Sequence, residues 1–145
     1  MHFKRESGTL NVSYLWVSLY FMPKVLLVDD ELAVASVFET ALKNAGYEVR
    51  IAGDAKNGIT LAQSEPFDVI LLDQMLPDLS GNEVLKTIKT SGANVQTPVS
   101  MLSNFSNDVT VKEAMSLGAK DYIMKYEISP DGLVDKVHGL MGQKA

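Results

Sequence analysis

Asp29, Asp30 and Glu31 stand side by side directly after four apolar residues, Val25–Val28. Another acid, Asp73, ends a second apolar run, Val69–Leu72, while Ser103 follows Pro98–Leu102 and Lys125 follows Asp121–Met124. Clustered carboxylates repel one another, and burying them is costly unless a cation or a hydrogen-bond donor compensates. Oxygen-only donor sets suit hard cations, and Mg²⁺ in particular takes few protein carboxylates and keeps several waters. Asp29, Asp30 and Asp73 are therefore a candidate Mg²⁺ site. Lys125 would offset the remaining negative charge, and Ser103 would add a hydroxyl. This chemistry requires residues spread from position 29 to position 125 to meet.

The elements that must bring them together follow from the apolar pattern. Val25–Val28, 47–52, 68–72, 98–102 and 121–124 read as strands. Residues 32–45 carry Val34, Val37, Phe38, Ala41, Leu42 and Ala45 at helical spacing, with Gly46 as a stop. Residues 55–64 form a second helix capped by Asp54. A third helix carries Val84, Leu85 and Ile88 after a loop with Pro77 and Gly81. A fourth spans 107–117 and ends at Gly118. Ser129-Pro130 opens the last as cap and first-turn residue, with Leu133, Val134, Val137, Leu140 and Met141 on one side. Strand and helix alternate five times. That order predicts an α/β fold with a five-stranded parallel sheet covered on both faces, doubly wound by right-handed crossovers. In such a sheet all strand C-termini lie along one edge, where sites form.

Composition narrows the classes. The chain has 145 residues, 46% hydrophobic and 21% charged, as expected for one domain of ordinary size. With no cysteine, disulfides and thiolate metal sites are excluded, which fits a reducing compartment. The net charge is −5 and the basic residues are scattered, so nucleic-acid binding has little electrostatic support. Residues 1–21 differ from the rest: a basic start leads into a mostly apolar stretch, Leu10–Met22. It is shorter than the roughly 20 apolar residues of a spanning helix and lacks a small-residue cleavage site. The expected division is an extension of unclear role over 1–21 and one domain over 22–145, with Met22 resembling a natural start. The extension is read as irrelevant to the domain's chemistry; an added strand, a partner-binding segment and a membrane tether are the alternatives.

"LLVDDE", "DVILLDQMLPDLSG", "PVSMLSN" and "GAKDYIMK" together resemble the receiver domain of two-component response regulators. The resemblance covers essentially everything after Met22. It implies a flavodoxin-like, chemotaxis-receiver-like fold with strand order 2-1-3-4-5. It also implies a phosphoryl switch. Asp73 would accept a phosphoryl group from a histidine kinase or phosphotransfer protein. Asp29, Asp30, Asp73 and the backbone carbonyl of Met75 would hold Mg²⁺, with Lys125 stabilising charge. Ser103 would bond to the phosphoryl group, and Tyr122 would turn inward as the second switch residue. The protein would be a cytoplasmic phosphoacceptor rather than an enzyme, a monomer or weak dimer acting on a downstream protein target. With about twenty residues after Lys125, used by one helix, it reads as a single domain without DNA-binding output and without membrane contact.

Two positions depart from the family pattern. Asn104 follows Ser103 where a small residue is usual, and with Phe105 it adds bulk that predicts slow phosphoryl turnover. Tyr126 follows Lys125 where Pro is usual, so a trans bond and a differently shaped loop are expected. Met75 is expected to shield the site from water. Glu31 reads as a first-turn helix acid, Asp78 as a turn residue, and His2 and His138 as surface residues. Asp29 and Asp30 taken alone could be helix caps. The competing functions are a constitutive docking module that takes no phosphate and an FMN-binding electron carrier. The acids after the first strand disfavour the latter, because they would repel a phosphate. A haloacid-dehalogenase-type hydrolase needs a second Asp two residues after its nucleophile, where Met75 stands.

Overall fold

Strands buried on both faces have no polar positions to alternate with. Val25–Val28 and Val69–Leu72 are fully buried, side chain by side chain, which places them in the middle of a sheet. The computed structural model describes residues 22–142; the extension read for residues 1–21, and His2 with it, lies outside them. The elements are β1 (Lys24–Val28), α1 (Leu32–Asn44), β2 (Glu48–Ala52), α2 (Ala55–Ser64), β3 (Val69–Asp73), α3 (Gly81–Thr90), β4 (Val99–Ser103), α4 (Asp108–Ser116), β5 (Asp121–Met124) and α5 (Pro130–Leu140). Their bounds fall within one residue of most of the sequence expectations. The sheet is parallel in the order β2-β1-β3-β4-β5. β2 is an edge strand and shows it, with exposed Glu48 and Arg50 on either side of buried Val49.

The side-chain period of a strand divides the core in two. Leu26, Val28, Ile70, Leu72, Val99 and Met101 pack beneath α2, α3 and α4. Val25, Leu27, Val69, Leu71, Leu102 and Ile123 pack beneath α1 and α5, against Phe38, Leu42, Leu133 and Val137. Register then positions the chemistry. Val28 pairs with Leu72, so Asp29 and Asp73 emerge level from adjacent strands. Ser103 pairs with Met124, so Lys125 emerges one residue beyond Ser103 on the next strand.

Helix starts lie along the same edge, and all but that of α1 are closed by a local side-chain cap. Asp54 accepts from the Asn57 amide at 2.7 Å, Asn107 from Thr110 at 2.9 Å and Ser129 from Gly132 at 2.9 Å. Ser80 and Glu83 form a reciprocal capping box at α3. Asp78, expected to serve its own turn, is bonded by the amides of Asp78 and Leu79 there and also reaches α2, accepting from the amides of Ala55 (2.9 Å) and Lys56 (3.0 Å). The reason is spatial: the β3–α3 loop runs beside the orphan amides of α2. Gly46 ends α1 at φ +99°, a region that disfavours side chains.

Gly81 is fixed by space rather than by φ. A Cβ there would lie 2.4 Å from the Asp73 carbonyl oxygen and 2.8 Å from the Gln74 Cα. Both are backbone atoms at the end of a central strand, so neither yields cheaply. Gly81→Ala is expected to destabilise the fold by about 2–3 kcal/mol, read as a lower urea midpoint at unchanged slope. A neutral result would mean that α3 can move away from β3.

Candidate functional site

The Lys125 ammonium carries three protons, and each is donated to a different carboxylate. Nζ lies 3.0 Å from Asp29 Oδ1, 2.9 Å from Asp73 Oδ2 and 2.8 Å from Glu31 Oε1. Asp29, Asp73, Ser103 and Lys125 are all buried, and Asp30 is exposed beside them. The backbone supports the acids. The Glu31 amide donates to Asp29 Oδ1 at 2.9 Å, and the Met75 amide donates to Asp73 Oδ1 at 3.0 Å. One oxygen is left over: Asp29 Oδ2 is buried with no hydrogen-bond partner. Oxygens of Asp29, Asp30 and Asp73 lie within 4.8 Å of one another. A buried, unpartnered oxygen on one of three clustered carboxylates fits a hard divalent cation, whose charge would satisfy it.

Charge and burial pull in opposite directions here. Burial pushes Asp73 above the usual carboxylate range, opposed by the bonds from Lys125 and Met75. Burial disfavours the charge on Lys125, but the bonds to Glu31, Asp73 and Asp29 outweigh it and raise its pKa. Glu31 is held down to about 2 from 4.5 by bonds from Lys125, Tyr126 and Asn104.

The structure brings Asp29, Asp30, Asp73, Ser103 and Lys125 to one edge, as the spacing requires. Ser103 Oγ donates to the Phe105 carbonyl at 2.5 Å and accepts from the Phe105 amide at 3.3 Å. Tyr122 packs against the cluster containing Met101, and its hydroxyl is buried without a partner. The bond between Lys125 and Tyr126 is trans. Met75 touches Asp73 through its amide, but its side chain is 58% exposed and does not close the site as a buried lid. His138 is exposed, with its ring bonded to the Tyr47 hydroxyl.

Glu31 is the correction. It occupies the N-cap position of α1 but makes no capping bond. Its carboxylate turns instead to Lys125, to Asn104 Nδ2 at 3.0 Å and to the Tyr126 hydroxyl. The available signal was the pair of unusual residues directly after Ser103 and Lys125. Their common partner lies 73 and 95 positions away in the chain, beyond the reach of local pattern.

The pattern that defines the response regulator receiver domain matches residues 25–138. The chain belongs to this family. It is 35% identical over 118 residues to the cell cycle response regulator CtrA of Brucella abortus, covering 81% of this chain and 50% of that protein. The chain thus spans about half the length of the curated relatives it matches. Among solved structures, the chemotaxis protein CheY4 of Vibrio cholerae is 30% identical with a TM-score of 0.76, covering 83% of this chain and 99% of that one. The BeF3-activated receiver domain of Thermotoga maritima DrrB is 31% identical with a TM-score of 0.72, covering 83% and 97%. Receiver domains are signalling domains that generally bind Mg²⁺ at an acidic pocket and interact with histidine kinases or phosphotransfer proteins. Among the described residues no helix is long and apolar enough to cross a membrane.

Removing the ammonium leaves buried acids without a counter-charge. Lys125→Met is expected to cost about 3–5 kcal/mol at neutral pH, measured by urea unfolding. Asp73 has a raised pKa, so it protonates early and relieves the variant's repulsion as the pH falls. Glu31 has a depressed folded pKa, so its contribution in the native protein is present above pH 4.5 and is lost as the pH falls through about 2. The stability gap between native protein and variant should therefore narrow on acidification. A gap that stays constant from pH 7 to pH 3 would refute this account.

Proposed function

We propose that this receiver accepts a phosphoryl group on Asp73 from the phosphohistidine of a histidine kinase or phosphotransfer protein. The observation that carries the reading is the convergence of carboxylate oxygens of Asp29, Asp30 and Asp73 within 4.8 Å of one another, with one Asp29 oxygen buried and unpartnered and Lys125 bonded to Asp73. Asp29, Asp30, Asp73 and the Met75 carbonyl would hold Mg²⁺. When bound, the ion would neutralise charge on the phosphoryl oxygens and lower the repulsion that the acids present to an anionic donor.

The chain's own residues supply the rest. An Asp73 oxygen attacks phosphorus; the P–N bond to the donor imidazole breaks with its electron pair on nitrogen, and a P–O bond forms. Lys125 holds the Asp73 carboxylate in place through its hydrogen bond and offers positive charge to the phosphoryl oxygens. Ser103 must give up its bond to the Phe105 carbonyl to donate to the phosphoryl group. That release frees the β4–α4 loop. Tyr122, with an unpartnered hydroxyl, is the neighbouring group positioned to respond. It also lines a cavity of about 400 Å³ with Ser106, Asp108, Val111, Lys112 and Met124. Exposed Phe105 and Val109 flank the same segment. A phosphorylation-dependent shift there would change a protein-docking face. Downstream action through a protein target in the cytoplasm, as a monomer or weak dimer and without DNA contact, completes the proposal. The proposed boundary, an extension over 1–21 and the receiver over 22–145, is supported by a family match that begins at residue 25.

A second reading has one observation in its favour. Every proton of Lys125 is already engaged, as in a constitutive docking module that never takes phosphate. Incubation of the full chain with a small acyl phosphate and Mg²⁺, followed by intact mass, separates the two. One added phosphoryl group is expected on the native protein and none on Asp73→Asn. No adduct at saturating donor and Mg²⁺ would favour the docking module.

A further inference from the structure

The three carboxylates on Lys125 are not equivalent. Asp29 and Asp73 emerge from paired central strands and each accepts a backbone amide. Glu31 lies outside the sheet, and its side chain is 33% exposed where those of Lys125 and Asp29 are 0%. It therefore covers the ammonium from the solvent side. Its position is held from across the site. Oε1 accepts from Asn104 Nδ2 at 3.0 Å as well as from Lys125, and Oε2 accepts from the Tyr126 hydroxyl. Asn104 and Tyr126 are the residues directly after Ser103 and Lys125, so the ends of β4 and β5 both supply donors to the same carboxylate. The result is a strap from the start of α1 over the mouth of the pocket.

A phosphoryl oxygen that is to meet Lys125 needs one of its three N–H bonds. Asp29 and Asp73 belong to the acid cluster itself. Glu31 is the acceptor at the solvent side and the one whose departure leaves that cluster intact. We propose that Glu31, held by Asn104 and Tyr126, occupies the place on Lys125 that a phosphoryl oxygen takes, and that this strap determines how readily the site accepts phosphate from small donors. The inference rests on the reading of Asp73 as phosphoacceptor. A small acyl phosphate has to displace Glu31 unaided. In that transfer the bond from phosphorus to the acyl oxygen breaks with its electron pair on the departing carboxylate, and a P–O bond to Asp73 forms. Asn104 thus acts through the carboxylate it holds as well as through its bulk, and Tyr126 acts from outside the acid cluster altogether.

Tyr126→Phe keeps the ring and removes only the donor. Asn104→Ala removes the other neutral donor together with the side-chain bulk. With the full chain, acetyl phosphate and saturating Mg²⁺, the double variant is expected to phosphorylate about tenfold faster than the native protein, as the loss of two ordinary hydrogen bonds to Glu31 implies. Tyr126→Phe alone should give a smaller gain of the same sign. Beryllofluoride, a phosphoryl mimic, should bind the variants more tightly in calorimetric titration, which a purely structural role would not produce. Melting temperatures of the two single variants serve as the control for folding. Native-like rates and native-like beryllofluoride affinity in both variants would overturn the strap while leaving the phosphoacceptor reading intact. Absence of phosphoryl transfer and of beryllofluoride binding in the native protein and all variants would overturn both. Phosphorylation of the variants alone would support the strap in its strongest form.

Discussion

A lysine ammonium buried among apolar strands would lose its proton or unfold its surroundings unless counter-charges stood within hydrogen-bond reach. Three carboxylates meet that requirement around Lys125, and the requirement is mutual. Asp29 and Asp73 are themselves buried, and without the ammonium they would repel one another at the ends of two adjacent strands. Such a cluster is rarely the most stable solution; apolar residues of similar volume often do as well or better. Its presence at the sheet edge is better understood as chemistry held ready than as glue.

The same edge collects features that have little to do with stability. Asp29 Oδ2 and the Tyr122 hydroxyl are buried without partners. Ser103 uses its hydroxyl on its own loop, through Phe105. The first two are polar groups whose burial without a partner costs stability, and Ser103 is tied to its own loop. The β4–α4 loop joins that chemistry to an exposed apolar segment at Phe105 and Val109, the surface through which the proposed switch would act.

Within the receiver family the general frame is shared, and this chain's character lies at the rim. Asn104, Tyr126 and Glu31 come from three separate loops and meet over Lys125. The first two look like independent substitutions when read one at a time. In space they serve one carboxylate. Their neighbour Met75 contributes its amide to Asp73 while its side chain stays largely in solvent.

Much of the fold was written locally. Uninterrupted apolar runs specify central strands, alternation at Glu48–Ala52 marks an edge, and Asp54, Ser80, Asn107 and Ser129 cap helices through contacts within three residues. Strand-helix alternation then compels a parallel sheet, and a parallel sheet brings Asp29, Asp73, Ser103 and Lys125 to one edge whatever their separation in the chain. Long-range side-chain direction has no such rule. Asp78 was read as serving its own turn and caps α2 as well; Glu31 was read as a helix-start acid and bonds across the pocket. An exposed carboxylate near a helix start has several acceptable partners of similar energy, and only the packed arrangement of neighbouring loops selects among them. The sequence by itself determined which residues reach the edge, because strand ends follow from periodicity. The tertiary structure alone decided what each polar side chain grips there, because that choice depends on distances between loops that no local pattern encodes.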